Sequence, residues 1–497
     1  MGATIDRRAF VETVAAGMAA LIAPGTIHAQ DRQSRRKPNI LLILADDLGW
    51  GDVGYQSQGR FVTPNIDRLA REGAVFTNAY ACAANCAPSR ACLLSGAYTP
   101  RHGVYAVDAT DRGPRDQMRM VPIPNTPGLN TSFVTMAEAL RGAGYATGHF
   151  GKWHLTGGPG TLPSEQGFDV THDSFGDGPV TEGSEQNLPG PETDPKGVFT
   201  LTRKAVQFMA ANRERPFFCY LAHHAIHGPL QARTSTRVRM EQHAREAGVS
   251  SEYMGCTYDF DDSIGRLLAD LKQLGLEENT LVVFTSDNGA LRAQEPLRGS
   301  KGCYYEGGIR EPFIVRWPGV VRPRTVCEAP IALVDLYPTF LAAAGVVPHA
   351  GTKLDGVSLV PLLQRRGGLR RTSIYWHFPG YLDRPVSRGR DPVFRTRPVS
   401  VIRKGDWKLF LYHEEWQLDG GRDALASNNA VELYDLGHEV GERDNLALRN
   451  PAKRDELLGD LLRWMTRVQA PMPTKRNPGY RPATGAAKAP ERPRWRT

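Results

Sequence analysis

The sequence has no long apolar segment and no Cys-x-x-Cys pair. Seven cysteines occur among its 497 residues, and three of them lie in the run CAANCAPSRAC, residues 82–92. None forms a Cys-x-x-Cys pair, and no histidine follows at ligand spacing, so a structural zinc site is not expected. An odd number of cysteines spread through a long chain permits disulfides without requiring them. Most are better interpreted as small buried side chains.

The excess of positive charge lies at the two ends of the chain. The formal net charge is +8. The tail from Thr474 holds seven Lys and Arg against Glu491, and residues 31–37 hold four against one acid, so these ends carry +9 and the rest about −1. Both ends are rich in polar residues or proline. We therefore expect no nucleic-acid partner.

The N-terminus has the pattern of an export signal. The run DRRAF, residues 6–10, is a twin-arginine pattern, a mildly apolar stretch follows at 14–24, and Ala29 offers a cleavage point. A cytosolic amphipathic helix is the alternative, but Gly and Pro interrupt it. We predict a twin-arginine-type signal peptide at 1–29, a linker at 30–37, the twin-arginine export machinery as a partner, and a periplasmic or secreted protein. The apolar stretch is too short and too polar for a membrane span, and no later segment approaches one.

Four apolar runs each end in polar residues. Such runs are typical of strands buried on both faces of a parallel sheet, and the carboxyl ends of such strands line the ligand crevice. Any one of the polar groups could be an ordinary turn or cap; four at equivalent ends favour a site. The runs, with the polar residues that follow, are 40–45 with Asp46 and Asp47, 145–150 with Lys152 and His154, 217–222 with His223, His224 and His227, and 281–284 with Asp287 and Asn288.

Helical spacing alternates with these runs up to about residue 364. Helices are predicted at 64–72, 133–141 and 261–274. Short strands then follow at 399–402, 407–412 and 431–434, with a terminal helix at 455–468. We predict an α/β fold whose large mixed, mostly parallel sheet is sandwiched by helices, plus a small C-terminal α+β domain with an antiparallel sheet. The expected boundaries are 38–368 for the catalytic domain, 369–470 for the C-terminal domain and 471–497 for a basic, Pro-rich tail.

The polar residues define a chemistry. Asp46, Asp47, Asp287 and Asn288 offer only oxygen ligands, which suits Ca²⁺ or Mg²⁺ rather than zinc. Cationic and hydrogen-bonding groups around such an ion imply an oxyanion substrate. An obvious nucleophile is missing, unless it is Cys86. The surrounding groups are Arg90, Lys152, His154, His227 and Lys301.

The segment CAPSR at 86–90, followed by LLSG at 93–96, resembles the signature of the type I sulfatases. That formylglycine-dependent family belongs to the alkaline-phosphatase-like superfamily. Five further segments resemble family segments in the family's order: NILLILADDLGWGD, GYATGHFGKWHL, FTSDNG, LRGSKGCYYEGGIREP and IRKGDWKLF. Ser95 stands where threonine is commoner. Cys303 occupies a position often held by threonine and is expected to pack.

The resemblance implies a cofactor chemistry and a role for each site residue. A separate maturation enzyme would oxidise Cys86 to Cα-formylglycine, whose gem-diol would attack sulfur and later expel sulfate by elimination. His227 or Lys301 would protonate the leaving alcohol, and His154 would assist the last step. His227 lies in IHGP where PHxP is usual, so His223 and His224 remain rivals. The implied sets are Asp46, Asp47, Asp287, Asn288 and residue 86 for calcium or magnesium, Arg90 holding the formylglycine, and Lys152, His154, His227 and Lys301 on the sulfate.

The segments WHFPGY at 376–381 and RHGVY at 101–105 resemble bacterial carbohydrate sulfatases more than lysosomal arylsulfatases. At the join of two domains, the first segment could form a pocket rim in which rings stack on a sugar and His377 binds a hydroxyl; packing is the alternative. We predict removal of an ester sulfate from a galactose-type sugar at a chain end, with the 4-position as a candidate. The rival functions are a phosphonate monoester hydrolase or phosphodiesterase of the same fold, and a non-catalytic sulfated-glycan-binding protein.

Overall fold

The structure is a computed structural model that describes residues 37–172, 190 and 192–482. The predicted signal peptide, nearly all of the predicted linker, and residues 483–497 of the predicted tail lie outside the described residues. The described residues from Pro38 onward belong to one compact unit. No helix in this described part is long and apolar enough to cross a membrane.

The described chain contains two larger β-sheets and a two-stranded ribbon. The larger sheets have eight and four strands. The strands are β1 (Asn39–Ala45), β2 (Ala74–Phe76), β3 (Ala79–Tyr80), β4 (Ala146–Gly151), β5 (Val170–His172), β6 (Phe217–Ala222), β7 (Thr280–Ser286), β8 (Ile314–Arg316), β9 (Thr325–Cys327), β10 (Ile331–Ala332), β11 (Ser373–Phe378), β12 (Val399–Lys404), β13 (Trp407–Tyr412) and β14 (Val431–Asp435).

Helices surround these strands, and short 3₁₀ turns lie between several of them. The α-helices are α1 (Pro64–Glu72), α2 (Cys86–Ser95), α3 (Thr99–His102), α4 (Met136–Gly142), α5 (Val198–Ala211), α6 (Thr234–Ala247), α7 (Ser251–Gln273), α8 (Glu306–Ile309), α9 (Leu336–Ala344), α10 (Val360–Leu363), α11 (His413–Leu418) and α12 (Pro451–Val468). The 3₁₀ turns are Arg115–Gln117, Pro195–Gly197, Glu277–Asn279, Leu333–Asp335 and Gly421–Ala424.

The four predicted apolar strands are neighbours at the centre of the large sheet. Its order is β5-β4-β6-β1-β7-β8-β2-β9. Strands β4, β6, β1 and β7 pair in parallel, with Leu42 opposite Tyr220 on one side and Val283 on the other. Strand β8 runs antiparallel to β7 and β2, which makes the sheet mixed. The carboxyl ends of the four central strands therefore meet at one edge.

Alternate residues of β1 face two separate apolar clusters. Leu42 belongs to a cluster that includes Phe340 of α9, whereas Leu41 belongs to a cluster that includes Phe260 of α7. Because every residue of β1 is buried, the strand needs apolar side chains on both faces, which explains its continuous apolar run. Helices thus cover both faces of the sheet, and the predicted α/β sandwich is confirmed.

Three helices, α4, α7 and α12, differ from the sequence prediction at their first residue, and α7 and α4 show the cause. Helix α7 begins ten residues before the predicted start, because the Ser250 hydroxyl accepts a hydrogen bond from the Tyr253 N–H at 3.1 Å and caps it. Helix α4 begins three residues late, since Thr135 and Glu138 form a reciprocal capping box. Capping side chains, rather than the apolar spacing, set both ends.

The C-terminal sheet is antiparallel, as predicted; its strand order is β11-β12-β13-β14, and α12 packs against it. Tyr375 of β11 stacks on Trp464 of α12 with ring centroids 4.6 Å apart. Strand β11 was not predicted; its segment was interpreted as a pocket rim. Trp376 is instead buried and donates its indole hydrogen bond to the Ala81 carbonyl at 2.7 Å, which ties this sheet to the residue that follows β3 of the two-stranded ribbon.

Candidate active site

Polar side chains from four strand ends converge on one point. One ligand atom from each of Asp46, Asp47, Cys86 and Asp287 lies within 4.8 Å of the others. The three aspartates are 0% exposed. Asp46 and Asp47 follow β1, and Asp287 follows β7, its immediate neighbour in the sheet. Adjacent parallel strands therefore bring together carboxylates that are about 240 residues apart in sequence.

A tight turn after β1 directs two consecutive carboxylates at this point. Asp47 has a φ of 65°, in the left-handed region that non-glycine residues rarely adopt. Its N–H donates to Asp287 Oδ1 at 3.2 Å, and the next N–H, of Leu48, donates to the Ser286 hydroxyl at 3.0 Å. The main chain after β1 is thereby fixed to the end of β7, and the strained turn is held by its neighbours.

Cys86 is the first residue of α2 and faces the carboxylates. Its Sγ lies 3.3 Å from Asp46 Oδ1 and 3.8 Å from Asp47 Oδ1. Arg90 is one helical turn further on and on the same face. Its Nε donates to Asp287 Oδ2 at 2.9 Å, its Nη2 lies 2.7 Å from the same oxygen as an ion pair, and its Nη1 donates to the Lys152 carbonyl. The hydrogen bonds of Arg90 therefore go to Asp287 and the main chain rather than to the Cys86 thiol.

Two lysines complete the charge balance. Lys152 Nζ lies 2.6 Å from Asp46 Oδ2, and Lys301 Nζ lies 2.7 Å from Asp47 Oδ1. Together with Arg90 they supply three positive charges against three buried carboxylates. A divalent cation would raise the net charge of the cluster to +2, which suits an oxyanion ligand.

The donor set fits a hard cation. The carboxylate oxygens are close enough together to share one ion. Asn288 lies beside them: its amide N donates to Asp47 Oδ1 at 2.8 Å, and its Oδ1 is buried without a hydrogen-bond partner among the described residues. A buried amide oxygen needs such a partner, and a cation would provide it. Oxygen ligands of this kind favour Ca²⁺ or Mg²⁺, and Asp46, Asp47, Asp287 and Asn288 would hold it.

The charges shift the protonation of the two facing aspartates in opposite directions. Burial would raise the pKa of Asp46, but Lys152, His227 and Arg90 outweigh it and hold that pKa well below the usual value. Burial, and then the charge of Asp46, raise the pKa of Asp287. Asp46 is therefore the more strongly ionised member of the pair. Burial also raises the pKa of the Cys86 thiol.

His227 reaches the cluster from the end of β6. Its Nε2 lies 3.7 Å from Asp47 Oδ2, and its Nδ1 lies 2.6 Å from the Gly228 carbonyl. The ring is 28% exposed, so it is accessible at the mouth of the site. The contact with the Gly228 carbonyl requires a hydrogen on Nδ1. Nε2, which faces the cluster, therefore carries a proton only when the ring is positively charged. Burial lowers the pKa of His227, against the opposing charges of Asp46 and Asp47.

His227 is the histidine that the structure places beside Asp47. The rival His223 is fully buried and packs edge-on against Phe260, with ring centroids 5.0 Å apart. The other rival, His224, is also buried, and burial and then Lys152 hold its pKa well below the usual value.

His154 follows β4 with a φ of 64°. Burial, and then the charges of Lys152 and Arg90, hold its pKa well below the usual value. Its Nδ1 is buried without a hydrogen-bond partner among the described residues. His154 is thus a neutral imidazole with an available acceptor beside the cationic groups.

Two residues do not join the site. His377, the last residue but one of β11, is 1% exposed, and its ring nitrogens contact the Ser400 hydroxyl at 2.8 Å and the Pro471 carbonyl at 3.1 Å. The structure therefore contradicts its prediction as a substrate ligand, because both nitrogens are engaged and no solvent reaches the ring. Cys303 is buried against Ser300, with its Sγ 3.0 Å from that carbonyl, which is the packing role expected.

Asp52 is a residue that the sequence reasoning passed over. It is fully buried, and its Oδ2 accepts hydrogen bonds from the Gly49 N–H at 2.9 Å and the Tyr253 hydroxyl at 2.8 Å. These contacts fasten the turn that carries Asp47 to helix α7. The signal was present in the motif DDLGWGD, whose third acidic residue had no assigned role.

Comparison with known proteins identifies the family. The family model described as Sulfatase matches residues 38–346, and the model described as N-sulphoglucosamine sulphohydrolase, C-terminal, matches residues 300–469. The chain belongs to the sulfatase family, in the alkaline-phosphatase-like superfamily, and is a sulfuric ester hydrolase. Members of this family generally use a formylglycine and a divalent metal.

Individual relatives cover most of the chain. A sulfatase of Formosa agariphila is 30% identical over 94% of this chain and 96% of its own. Human arylsulfatase A is 34% identical, covering 83% of each chain, and mouse N-acetylgalactosamine-6-sulfatase is 34% identical, covering 84% of each.

Solved structures share the fold. The structure of Ps i-CgsB in complex with k-i-k-neocarrahexaose superposes with a TM-score of 0.69 at 28% identity, over 86% of this chain and 93% of its own. The phosphonate monoester hydrolase of Agrobacterium radiobacter has a TM-score of 0.62 at 19% identity, over 87% and 96%, which shows the fold alone.

Proposed function

We propose that this chain hydrolyses the sulfate ester of a galactose-type sugar, using a formylglycine made from Cys86 and a divalent cation held beside it. The observation that carries the proposal is the position of Cys86, whose Sγ is 3.3 Å from a carboxylate of the oxygen cluster and is surrounded by Arg90, Lys152 and Lys301. The net reaction adds water across the S–O ester bond and gives an alcohol, sulfate and a proton.

A formylglycine at position 86 and a divalent cation would each supply one part of the chemistry. A hydrated formylglycine at position 86 would offer a hydroxyl nucleophile toward sulfur and an exit for the sulfate by elimination. A divalent cation would offset negative charge on the sulfate oxygens.

The lysines bind and orient the sulfate in this proposal. Lys152 Nζ and Lys301 Nζ lie on opposite carboxylates of the cluster, at Asp46 and Asp47. Charge from Asp47 and neighbouring groups outweighs burial and raises the pKa of Lys301, so this lysine remains charged at neutral pH. Two fixed ammonium groups offset charge on the sulfate oxygens, and the effect grows as bond cleavage proceeds.

The histidines divide the proton transfers. The leaving alcohol oxygen needs a proton, which His227 gives from Nε2 in its charged form, or which Lys301 gives from Nζ. His154, neutral and with a free Nδ1, accepts the proton released when the sulfate departs. Because the His227 side chain is 28% exposed, the leaving group can approach this ring from solvent.

Two relatives support a saccharide substrate. A protein named N-acetylgalactosamine-6-sulfatase is 34% identical, and Ps i-CgsB, 28% identical, has been solved with a neocarrahexaose. The predicted export signal would place the enzyme outside the cytosol, where polysaccharides are met. A phosphonate monoester hydrolase is the second candidate, because that activity occurs on the same fold.

A substrate panel tests the proposal. We expect sulfate release from galactose or N-acetylgalactosamine monosulfates, compared at the 4- and 6-positions, with a higher kcat/KM than from an aryl sulfate, which has no sugar to bind. Matched aryl phosphate and phenylphosphonate esters provide the control. Faster hydrolysis of the phosphorus esters would replace this function by the second candidate.

The nucleophile has its own test. Peptide mass spectrometry should find an aldehyde at position 86 in protein matured with a formylglycine-generating enzyme, and Cys86→Ala should abolish turnover without unfolding the protein. Cys256→Ala is the matched control, because Cys256 is also a buried helical cysteine, on α7. Equal turnover by unmodified thiol enzyme would contradict the mechanism.

A further inference from the structure

Three arginines lie close to one aspartate, in segments 111–113, 383–384 and 395. Arg112 Nη2 lies 3.1 Å from Asp383 Oδ1, and Arg384 Nε lies 3.6 Å from Asp383 Oδ2. Arg395 Nε donates to the Arg384 carbonyl at 3.1 Å. We call Arg112, Arg384 and Arg395 the arginine cluster.

The arginine cluster lies against the segment that carries a catalytic lysine. Arg395 Nη1 donates to the Lys301 main-chain carbonyl at 2.9 Å. The next residue, Gly302, has a φ of 88°, and a Cβ there would lie 2.2 Å from Arg395 Cδ. This close approach fixes the guanidinium beside the lysine whose Nζ reaches Asp47.

The arginine cluster has an unmatched positive charge. Asp383 forms ion pairs with Arg112 and Arg384, and no ion pair joins Arg395 to a carboxylate within residues 37–172, 190 and 192–482. Burial lowers the pKa of Arg395, and repulsion from Arg112 and Arg384 adds to the effect.

The neighbouring arginines of the same segment show the contrast. Arg390 pairs with Glu415 and Glu432, and Arg397 pairs with Asp391 and Glu414. Those arginines each have two carboxylates and stabilise the fold.

Two members of the arginine cluster are open to solvent, and Arg395 is partly buried. The side chain of Arg384 is 81% exposed, that of Arg112 is 36% exposed and that of Asp383 is 30% exposed. An anionic group from solution can therefore reach the guanidiniums of Arg112 and Arg384. Guanidinium groups bind sulfate and carboxylate through paired, charge-assisted hydrogen bonds.

We propose that the arginine cluster binds a second oxyanion of the substrate, a sulfate or a carboxylate on a sugar next to the one that loses its sulfate. The inference rests on the proposed function and adds to it: the enzyme selects saccharides with more than one negative charge. The contact to the Lys301 main chain sets this second anion beside the reacting sulfate rather than at a remote surface.

The test measures inhibition of the turnover of the best substrate from the panel, at low ionic strength. The inhibitors are inorganic sulfate, sucrose octasulfate and trigalacturonate, and the variants are Arg384→Gln and Arg395→Gln. The control is Arg115→Gln, because Arg115 is also 81% exposed and also lies beside an aspartate, Asp111. The measured quantity is the inhibition constant of each polyanion divided by that of inorganic sulfate.

We expect that ratio to rise about tenfold in Arg384→Gln and Arg395→Gln, the size of one charge-assisted hydrogen bond, and to stay unchanged in Arg115→Gln. A rise for sucrose octasulfate identifies sulfate as the second anion, and a rise for trigalacturonate identifies carboxylate. An unchanged ratio in Arg384→Gln, which is too exposed to affect folding, would overturn the inference. If no ester is hydrolysed, the proposed function fails, and calorimetric binding of sucrose octasulfate to wild type and Arg384→Gln still tests the arginine cluster.

Discussion

Replacing Lys408 by methionine tests the buried ion cluster that joins the C-terminal sheet to the segment carrying Lys301. Lys408, on β13, is 0% exposed, and its Nζ lies 2.8 Å from Glu306 Oε1 and 2.9 Å from Glu442 Oε1. Both carboxylates are also fully buried. Methionine keeps the apolar stem and removes the charge, so the two carboxylates lose the lysine between them.

The expected loss of stability is about 3–5 kcal/mol, the range found when one partner of a buried ion pair is removed. Arg310 limits it, because its Nη1 lies 3.3 Å from Glu306 Oε2. The loss depends on pH. Burial, and then the charge of Glu306, raise the pKa of Glu442. When folding raises the pKa of a carboxyl, the free energy of unfolding of the protein falls as pH rises above the usual glutamate pKa. Removing Lys408 raises the pKa of Glu442 further.

The loss of unfolding free energy caused by Lys408→Met, relative to wild type, should therefore be smallest near pH 5 and largest near pH 8. Urea unfolding across that range measures the difference. Lys404→Met is the matched control: Lys404 lies on the adjacent strand and also contacts two carboxylates, at 2.7 and 2.9 Å, but is 33% exposed. An exposed pair contributes about 0–1 kcal/mol. Equal losses in the two variants, or a loss for Lys408→Met that does not vary with pH, would refute the reasoning.

Two further predictions concern the metal and a helix cap. Chelation should lower the melting temperature and the activity together, because three buried carboxylates lose a counter-ion, and Ca²⁺ or Mg²⁺ should restore both; an unchanged melting temperature after complete metal removal would argue against the site. Thr135→Ala should lower the free energy of unfolding by about 1–2 kcal/mol. The Thr135 hydroxyl accepts a hydrogen bond from the Glu138 N–H and donates one to the Gln166 carbonyl at 2.7 Å, and both are lost. Thr131→Ala is the control: Thr131 lies in the exposed loop before the helix, and its replacement should have little effect.

The sequence alone predicts the strands and the ligand chemistry. The runs before Asp46 and Asp287 are apolar on both faces, and that pattern is local, so it indicates buried strands whatever the rest of the chain does. The motif around Cys86 is likewise contiguous. Its resemblance to a known family supplied the family, which the comparisons confirmed.

The failure at His377 has a physical reason. The segment SIYWHF is short and rich in aromatic residues. Such a segment suits a buried strand as well as the rim of a binding pocket. Burial of the ring depends on β12 and on Pro471, about 94 residues away. No pattern within the segment carries that information.

The sequence by itself determined which side chains this protein has for binding a cation and an oxyanion, because those residues follow strand-forming runs and lie in contiguous motifs. The tertiary structure alone decided which of them meet. The order β4-β6-β1-β7 brings Lys152, His227, Asp47 and Asp287 to one edge. The chain path after β11 sets Arg395 beside Lys301 and Arg384 beside Arg395. Strand order and loop packing are set by contacts between residues distant in the sequence, and local patterns do not encode them.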